Sequence, residues 1–485
     1  MTSPHPYDLG VIGGGAAGLT VTAGAARLGA KTLLIEAEGR LGGDCLHYGC
    51  VPSKTLINTA RAYHQLGRLA EFGLPEVTRP PVDFARVADR IRGVIEVIQR
   101  HDSVERFCRL GAETVFGRAT FVDDHTVAVD GRKYSAGKWV IATGSSPAVP
   151  PLPGLAEAGF LTNRELFSLS RLPASLIVLG GGPIAIEMAQ AFNRLGSRVE
   201  VIQRSGQILS REDRDMADAL LARLRREGVI VHLDATMEEA GRNGGRRWVS
   251  CTGRDGGRFR VEGEEILVAL GRAANVGGLG LDAAGVEHDP GGIAVDSRLR
   301  TSRRHIFAAG DITGSHQFTH AAGYEGGVVI SNAVFHLPRR ADYRWLPRCT
   351  YTDPELAVIG MSEKQAAAAA IDCTVWTEEF RDNDRAQAEG ETEGRIKLVL
   401  DRRERPLGVQ ILGPRAGELL GEWVAACNGR LGLSTLAAAV HPYPTLAEIN
   451  KRVAGDVLAR KIFSGRVKRA LAFFFQLKGR ACDTD

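Results

Sequence analysis

Near its N-terminus the chain reads Tyr7-Asp8-Leu9-Gly10-Val11-Ile12-Gly13-Gly14-Gly15-Ala16-Ala17-Gly18, a short, largely apolar run followed by a glycine-rich turn. A small-residue stretch to about Leu28 then predicts a helix, and Lys31-Thr32-Leu33-Leu34-Ile35 predicts a second strand that ends in Glu36. This is the strand–turn–helix–strand pattern of a dinucleotide-binding unit, complete with its flanks. Gly13 permits the tight turn, Gly15 lets backbone approach a pyrophosphate, and Gly18 lets the helix pack on the strand. The free N–H groups at the helix start meet phosphates. Glu36 is placed to accept hydrogen bonds from the adenosine ribose hydroxyls.

The pattern recurs. Ser175-Leu176-Ile177-Val178-Leu179 predicts a strand, and Gly180-Gly181-Gly182-Pro183-Ile184-Ala185 the turn, with Ala185 as the third small residue. A helix to about Leu195 and a strand over Arg198–Ile202 follow. A lone glycine fingerprint is a weak signal; two with correct flanks imply two dinucleotides, or one dinucleotide fold duplicated.

The 485 residues are enough for about three domains. At 44% hydrophobic and 24% charged, the composition excludes disordered and fibrous classes. A net charge of +4 on so long a chain is weak support for a nucleic-acid partner. Met1-Thr2-Ser3-Pro4-His5-Pro6 lacks the basic start and apolar core of a secretory signal. No apolar run approaches the ~20 residues of a membrane span, so the expected address is the cytoplasm. A Pro-rich linker at Pro147–Gly154 and a change of pattern near Trp345 set the expected boundaries. These give a discontinuous first domain over 1–150 and 275–345, a second over 151–274, a third over 346–453 and a basic tail over 454–485. The third region mixes strand-like runs with helices, and the run Gln365–Ala370 predicts an exposed helix.

The most informative segment is Gly42-Gly43-Asp44-Cys45-Leu46-His47-Tyr48-Gly49-Cys50-Val51-Pro52-Ser53-Lys54. Two cysteines separated by four residues can close a small disulfide loop. Pro52 suits the first turn of a helix, which puts Cys50 at or beside the helix N-terminus, where a thiolate is favoured. Lys54 lies four residues on and shares that helix face. The same spacing also fits half of a zinc site, or two buried free thiols. The nearest other cysteine is Cys108, and there is no second close pair, so no structural metal site is expected. In a reducing compartment a close pair of this kind reads as catalytic or metal-binding.

These motifs together resemble the pyridine nucleotide–disulfide oxidoreductases of the dihydrolipoamide dehydrogenase, glutathione reductase and mercuric reductase group. The resemblance runs from Asp8 to about Lys451. It rests on Gly13–Gly18 with Glu36, the Cys45–Lys54 box, Ala142-Thr143-Gly144, Gly180–Glu187, Gly271-Arg272, Ala309-Gly310-Asp311 and Tyr351-Thr352-Asp353-Pro354-Glu355. It implies an α/β fold with two Rossmann-like domains and a C-terminal α+β dimerisation domain. FAD would lie on the first unit, held by Gly13, Gly15, Gly18, Glu36, Gly43, Lys54, Ala119, Thr143, Gly144, Ser145, Asp311 and Ala321. NADPH or NADH would lie on the second, held by Gly180, Gly182, Ile184, Ala185, Glu187, Gln203, Arg204 and Gly271. The resemblance further implies that Cys50 touches the flavin, that Cys45 exchanges with substrate, and that Lys54 pairs with Glu187. It implies a homodimer whose C-terminal domain completes the partner's active site. Electrons would pass through the flavin to the Cys45–Cys50 disulfide, then to a substrate disulfide or a thiophilic metal ion held transiently by both cysteines.

The sequence also departs from the group. Disulfide-reducing members carry a catalytic His directly before Pro-Thr, with a Glu five residues beyond; here Tyr443 takes that place, Glu448 is kept, and His441 sits two residues earlier. A phenol with a reference pKa of ~10 is a poor proton shuttle beside an imidazole at ~6.5, yet a good hydrogen-bond donor to a thiolate. Mercuric reductases share this Tyr, but they end in a vicinal cysteine pair, whereas this chain has only Cys482 in Arg480-Ala481-Cys482-Asp483. An uncharged Gln203 followed by Arg204 leans toward NADPH, because an acidic residue there would favour the ribose hydroxyl of NADH. Three functions compete: a mercuric reductase-like enzyme, a dihydrolipoamide dehydrogenase, and a flavoprotein docking component of a larger complex. The basic, Phe-rich tail motivates the last, through docking to a membrane surface or a protein.

Overall fold

Apolar runs alternating with small-residue helices pack as parallel sheets with buried faces. The computed structural model describes residues 5–479, 481 and 482. Met1–Pro4, and Arg480 and Asp483 beside Cys482, fall outside the described residues. Packing divides the chain into two units, Met1–Leu209 with Arg223–Tyr343, and Ser210–Ala222 with Arg344–Asp485.

The first unit holds two sheets built on parallel strands, the first extended by an antiparallel pair, Thr120–Phe121 and Thr126–Val129. In one, Tyr7–Ile12 lies between Thr32–Glu36 and Arg132–Ile141, with Ala112–Phe116 beyond Thr32–Glu36. Ile306–Ala308, far along the chain, returns to pair in parallel with Trp139–Ile141. Trp139 is fully buried at the centre, packing edge-on against Phe121 and donating its indole N–H to the His125 carbonyl at 2.9 Å. The second sheet orders Ile230–His232, Arg198–Ile202, Ser175–Leu179 and Glu265–Val268, all parallel. A three-stranded antiparallel sheet, Thr236–Asn243, Arg246–Thr252 and Arg258–Gly263, accompanies it.

The second unit is built on a five-stranded antiparallel sheet: Arg348–Thr350, Glu355–Gly360, Pro406–Gly413, Arg395–Asp401 and Cys373–Glu379. Helices Ala416–Gly429 and Glu448–Ile462 contribute Trp423, Ile449 and Val453 to the same apolar core as Phe380, Leu398 and Ile411. The architecture is the expected one, two Rossmann-like units and a C-terminal α+β region. Two details differ. The alanine-rich helix is Glu363–Ala368, capped by Ser362 and Gln365; it stops because Ala370 takes a φ of +54°, and within the otherwise exposed run Ala366 is buried. The tail forms two helices, Glu448–Ile462 and Gly465–Phe475, separated by Phe463 and the capping Ser464.

Candidate active site

Strand and helix placement brings the two glycine turns and the cysteine box together in the first unit. Helix Ala16–Arg27 begins after Gly15 and helix Pro183–Leu195 after Gly182, neither with a side-chain cap. Their first N–H groups are therefore available to an anion. A Cβ on Gly18 would stand 1.8 Å from the Gly13 carbonyl oxygen, so only glycine lets the helix sit this close to the turn. The box is pressed onto the same turn: Gly42 N–H donates to the Gly14 carbonyl at 2.9 Å, and a Cβ on Gly43 would meet Gly15 Cα at 2.7 Å. The turn thus presents backbone rather than side chains beside the helix start, which fits a pyrophosphate.

Glu36 is buried at the end of its strand. Its carboxylate accepts from Gly14 N–H at 2.5 Å and from Glu38 N–H at 2.6 Å. Burial pushes its pKa up, and the two backbone donors partly offset this. The remaining lone pairs suit a ribose diol. Asp311 begins the turn after Ile306–Ala308; Ser145 Oγ donates to it at 2.5 Å, and the Arg272 guanidinium lies 3.6 Å away. Burial raises its pKa too. Thr143 Oγ1 donates to the Asn275 carbonyl at 3.2 Å, and Gly144 has a φ of +68°. Ala321 is fully buried in helix Thr319–Ala333, whereas the Ala119 side chain packs in the sheet core with Ile12, Ile35 and Phe121. Glycine backbone, unfilled helix starts and buried acceptors together fit FAD on this unit.

At the second glycine turn Ile184 and Arg204 are exposed, Ala185 is buried, and Gly271 has a φ of +126°. The Gln203 amide is turned into its own loop, donating to Ser205 Oγ at 2.6 Å and to the Gln207 carbonyl at 3.1 Å. An open turn with a solvent-facing guanidinium fits a nicotinamide dinucleotide.

Cys50 is the first residue of helix Cys50–Gln65, and Cys45 lies in the short helix Gly43–His47 before it. Both are thiols here, the reduced form of the pair. A hydrogen bond donated by Cys45, helped by Thr319 and Lys54, pushes the Cys50 pKa down to about 6 against the opposing effects of burial and of Glu187. The same bond, with burial, raises the Cys45 pKa. The negative charge therefore sits on Cys50 and the proton on Cys45. Thr319 Oγ1, at the start of its own helix, is 3.5 Å from Cys50 Sγ, so two helix N-termini face this sulfur. Lys54 Nζ meets Glu187 Oε2 at 2.7 Å, and Glu187 is only 4% exposed. This ion pair joins the box helix to the helix of the second glycine turn.

Sequence reasoning missed part of this constellation. Asp44 pairs with Arg272 at 3.0 Å and accepts from Asn163 Nδ2 at 3.2 Å; Arg164 binds Glu38 at 2.6 Å and lies over the Tyr48 ring. Thr319 carries no local signal at all. Asp44 and Arg272 stood inside quoted motifs, and their opposite charges were the available clue.

In the second unit, Tyr443 is 71% exposed and its hydroxyl donates to Asp384 at 2.8 Å, which raises its pKa. His441 Nε2 lies 3.0 Å from Glu422 Oε1. Glu448 Oε2 accepts from Thr445 N–H at 3.3 Å. The carboxylate that meets His441 is thus Glu422, not Glu448.

Comparison with known proteins identifies the family. Residues 7–326 match the family model "Pyridine nucleotide-disulphide oxidoreductase", and residues 346–454 match its dimerisation domain. A mercuric reductase of Staphylococcus aureus is 32% identical over 91% of this chain and 81% of its own length. A dihydrolipoyl dehydrogenase of Bacillus subtilis is 32% identical over 91% of this chain and 96% of its own. The Cu(II) complex of the HOCl-induced flavoprotein disulfide reductase RclA from Escherichia coli superposes with a TM-score of 0.83 at 28% identity, covering 94% of this chain and 100% of that one. The chain belongs to the pyridine nucleotide–disulphide oxidoreductases, a family that works with FAD and NAD(P)H.

Proposed function

We propose that the protein uses NAD(P)H to reduce a thiophilic metal ion, with mercuric ion as the model substrate, at Cys45 and Cys50. FAD, when bound, supplies the two-electron relay between the nicotinamide and the sulfur pair. Gly13, Gly15, Gly18, Gly43, Glu36, Thr143, Gly144, Ser145, Asp311, Ala119 and Ala321 hold it; Gly180, Gly182, Ile184, Ala185, Gln203, Arg204 and Gly271 hold the nicotinamide. Cys50, as the thiolate of the pair, would be the sulfur that faces the flavin. Cys45 retains a proton until a soft cation or a substrate sulfur takes its place. Lys54 and Glu187 fix the box helix against the second glycine turn.

One observation carries the choice of substrate. Tyr443, where a dithiol-handling enzyme needs an imidazole, is an exposed phenol bonded to Asp384 with a raised pKa. Such a group donates a hydrogen bond to a ligand and does not accept a thiol proton near neutrality. The relatives named mercuric reductase and the Cu(II) complex of RclA support a soft-metal acceptor. The test is a comparison of steady-state rates. NADPH oxidation with mercuric ion should exceed NAD reduction by dihydrolipoamide at least about tenfold in kcat/KM. The reverse order ends this reading.

A second reading, dihydrolipoamide dehydrogenase, is favoured by the His441–Glu422 pair, an imidazole already oriented by a carboxylate. It predicts that His441→Ala removes dithiol activity and that Tyr443→Phe does not. We further assign residues 1–150 and 275–345 to FAD, 151–274 to NADPH in preference to NADH, and 346–453 to the homodimer interface, in a cytoplasmic enzyme. Among the described residues, no helix is long and apolar enough to cross a membrane.

A further inference from the structure

The tail carries a feature that the redox chemistry does not use. From Arg460 to Lys478 the chain contains Arg460, Lys461, Arg466, Lys468, Arg469 and Lys478, and no Asp or Glu. Arg460 and Lys461 are engaged with Trp376 and Glu404, which roots the segment in the second unit. Ser464 then caps the helix Gly465–Phe475. Within it Val467, Ala470, Leu471 and Phe474 recur at i, i+3, i+4 and i+7, which at ~100° per residue makes one apolar stripe. By the same periodicity Lys468 and Phe475 fall on one shoulder of the stripe, Arg466 and Phe473 on the other, and Arg469 opposite it.

Among the described residues, nothing buries this helix. None of its residues is buried, and Phe473, Phe474 and Phe475 are 80%, 74% and 70% exposed. Phe473 and Phe474 touch each other edge to face at 5.2 Å. Among the described residues, Arg466, Lys468, Arg469 and Lys478 have no ionic partner. Exposed apolar surface of this kind marks an interaction site, and the charge pattern selects the partner. Cations on both shoulders, with no acid between, match a surface that is negative everywhere it is met. A folded protein partner presents mixed charge. In a bilayer interface the stripe would enter the acyl boundary while the Lys and Arg stems reach up to headgroup phosphates.

We propose that Gly465–Phe475 is an in-plane anchor that seats the enzyme on membranes rich in anionic lipid. Flotation of the full-length, flavin-loaded protein tests it, with phosphatidylcholine vesicles and with vesicles containing roughly one-third phosphatidylglycerol. At low salt, recovery on the anionic vesicles should be at least about tenfold greater, and it should fall steeply as salt shortens the Debye length. Two triple variants, Phe473→Ser/Phe474→Ser/Phe475→Ser and Arg466→Glu/Lys468→Glu/Arg469→Glu, should each remove that excess while flavin content and NAD(P)H turnover are kept. Equal recovery on both vesicles overturns the proposal, as does undiminished flotation of either variant. If the serine variant instead sediments as a smaller species than the parent, the helix is covered by a second copy of this chain, and the proposal also fails.

Discussion

The two glycine turns share one backbone device and use it differently. Gly13 and Gly180 have φ of +109° and +110°, and a Cβ on either would strike a carbonyl, Ala142 at 2.3 Å or Ala269 at 2.5 Å. Beyond that they diverge. The first turn is closed: the cysteine box sits on it through Gly42 and Gly43, and Glu36 offers only acceptors from a buried position. The second is more open, although Leu209 N–H likewise meets the Gly181 carbonyl at 2.8 Å: Ile184 stands in solvent, and Gln203 spends its amide on its own loop. A resident ligand needs the first arrangement, and a ligand that comes and goes each turnover needs the second.

The comparison can be broken most severely at the sulfur that depends on the closed turn. Cys50→Ser should lower NAD(P)H-driven substrate reduction at least about a thousandfold while leaving flavin bound, measured as turnover per flavin. Next in size is a methyl group exchanged between the turns. Gly18→Ala should give protein without bound flavin, since its Cβ has no room; Ala185→Gly should cost only about 1 kcal/mol of stability. Flavin absorbance and a thermal melt check both, and equal effects would end the distinction between the turns. Glu36→Gln gives the closed turn the residue type of the open one; FAD affinity should fall about tenfold to a hundredfold, read by flavin titration of the apoprotein. Arg204→Ala should reduce kcat/KM for NADPH about tenfold and leave NADH nearly unchanged. Smallest is a pH effect. Because the Cys50 pKa is pushed down to about 6, its alkylation by iodoacetamide in the reduced enzyme should rise between pH 5 and 7 and then level off. Cys45, pushed the other way, should stay slow across that range.

Much of this was legible in the residues. Tyr7–Ile12, Ser175–Leu179, Pro183–Leu195 and Arg198–Ile202 form where the pattern predicts, because each is specified by neighbours within a few positions. Cys50 starts its helix as Pro52 requires. The contacts that tune the site were not legible. Thr319 reaches Cys50 across 269 positions, and Tyr443 finds Asp384 across 59. Nothing local distinguishes those partners from any other threonine or aspartate. The alanine run shows the same limit on a smaller scale: its helix ends where Ala370 adopts a left-handed φ, which composition does not announce.

The strand Ile306–Ala308 has a consequence for how the molecule is made. It completes the sheet begun by Tyr7–Ile12, yet it follows the whole second glycine unit in the chain. While a ribosome is still translating the middle of the message, Trp139–Ile141 has an open flank with nothing to bond to. The other parallel sheet, assembled from strands between Ser175 and Val268, is free to form in the meantime. The first sheet is thereby completed only after the second glycine turn has been made, and the nascent chain carries an unpaired sheet edge while residues 142–305 are synthesised, about a third of its length.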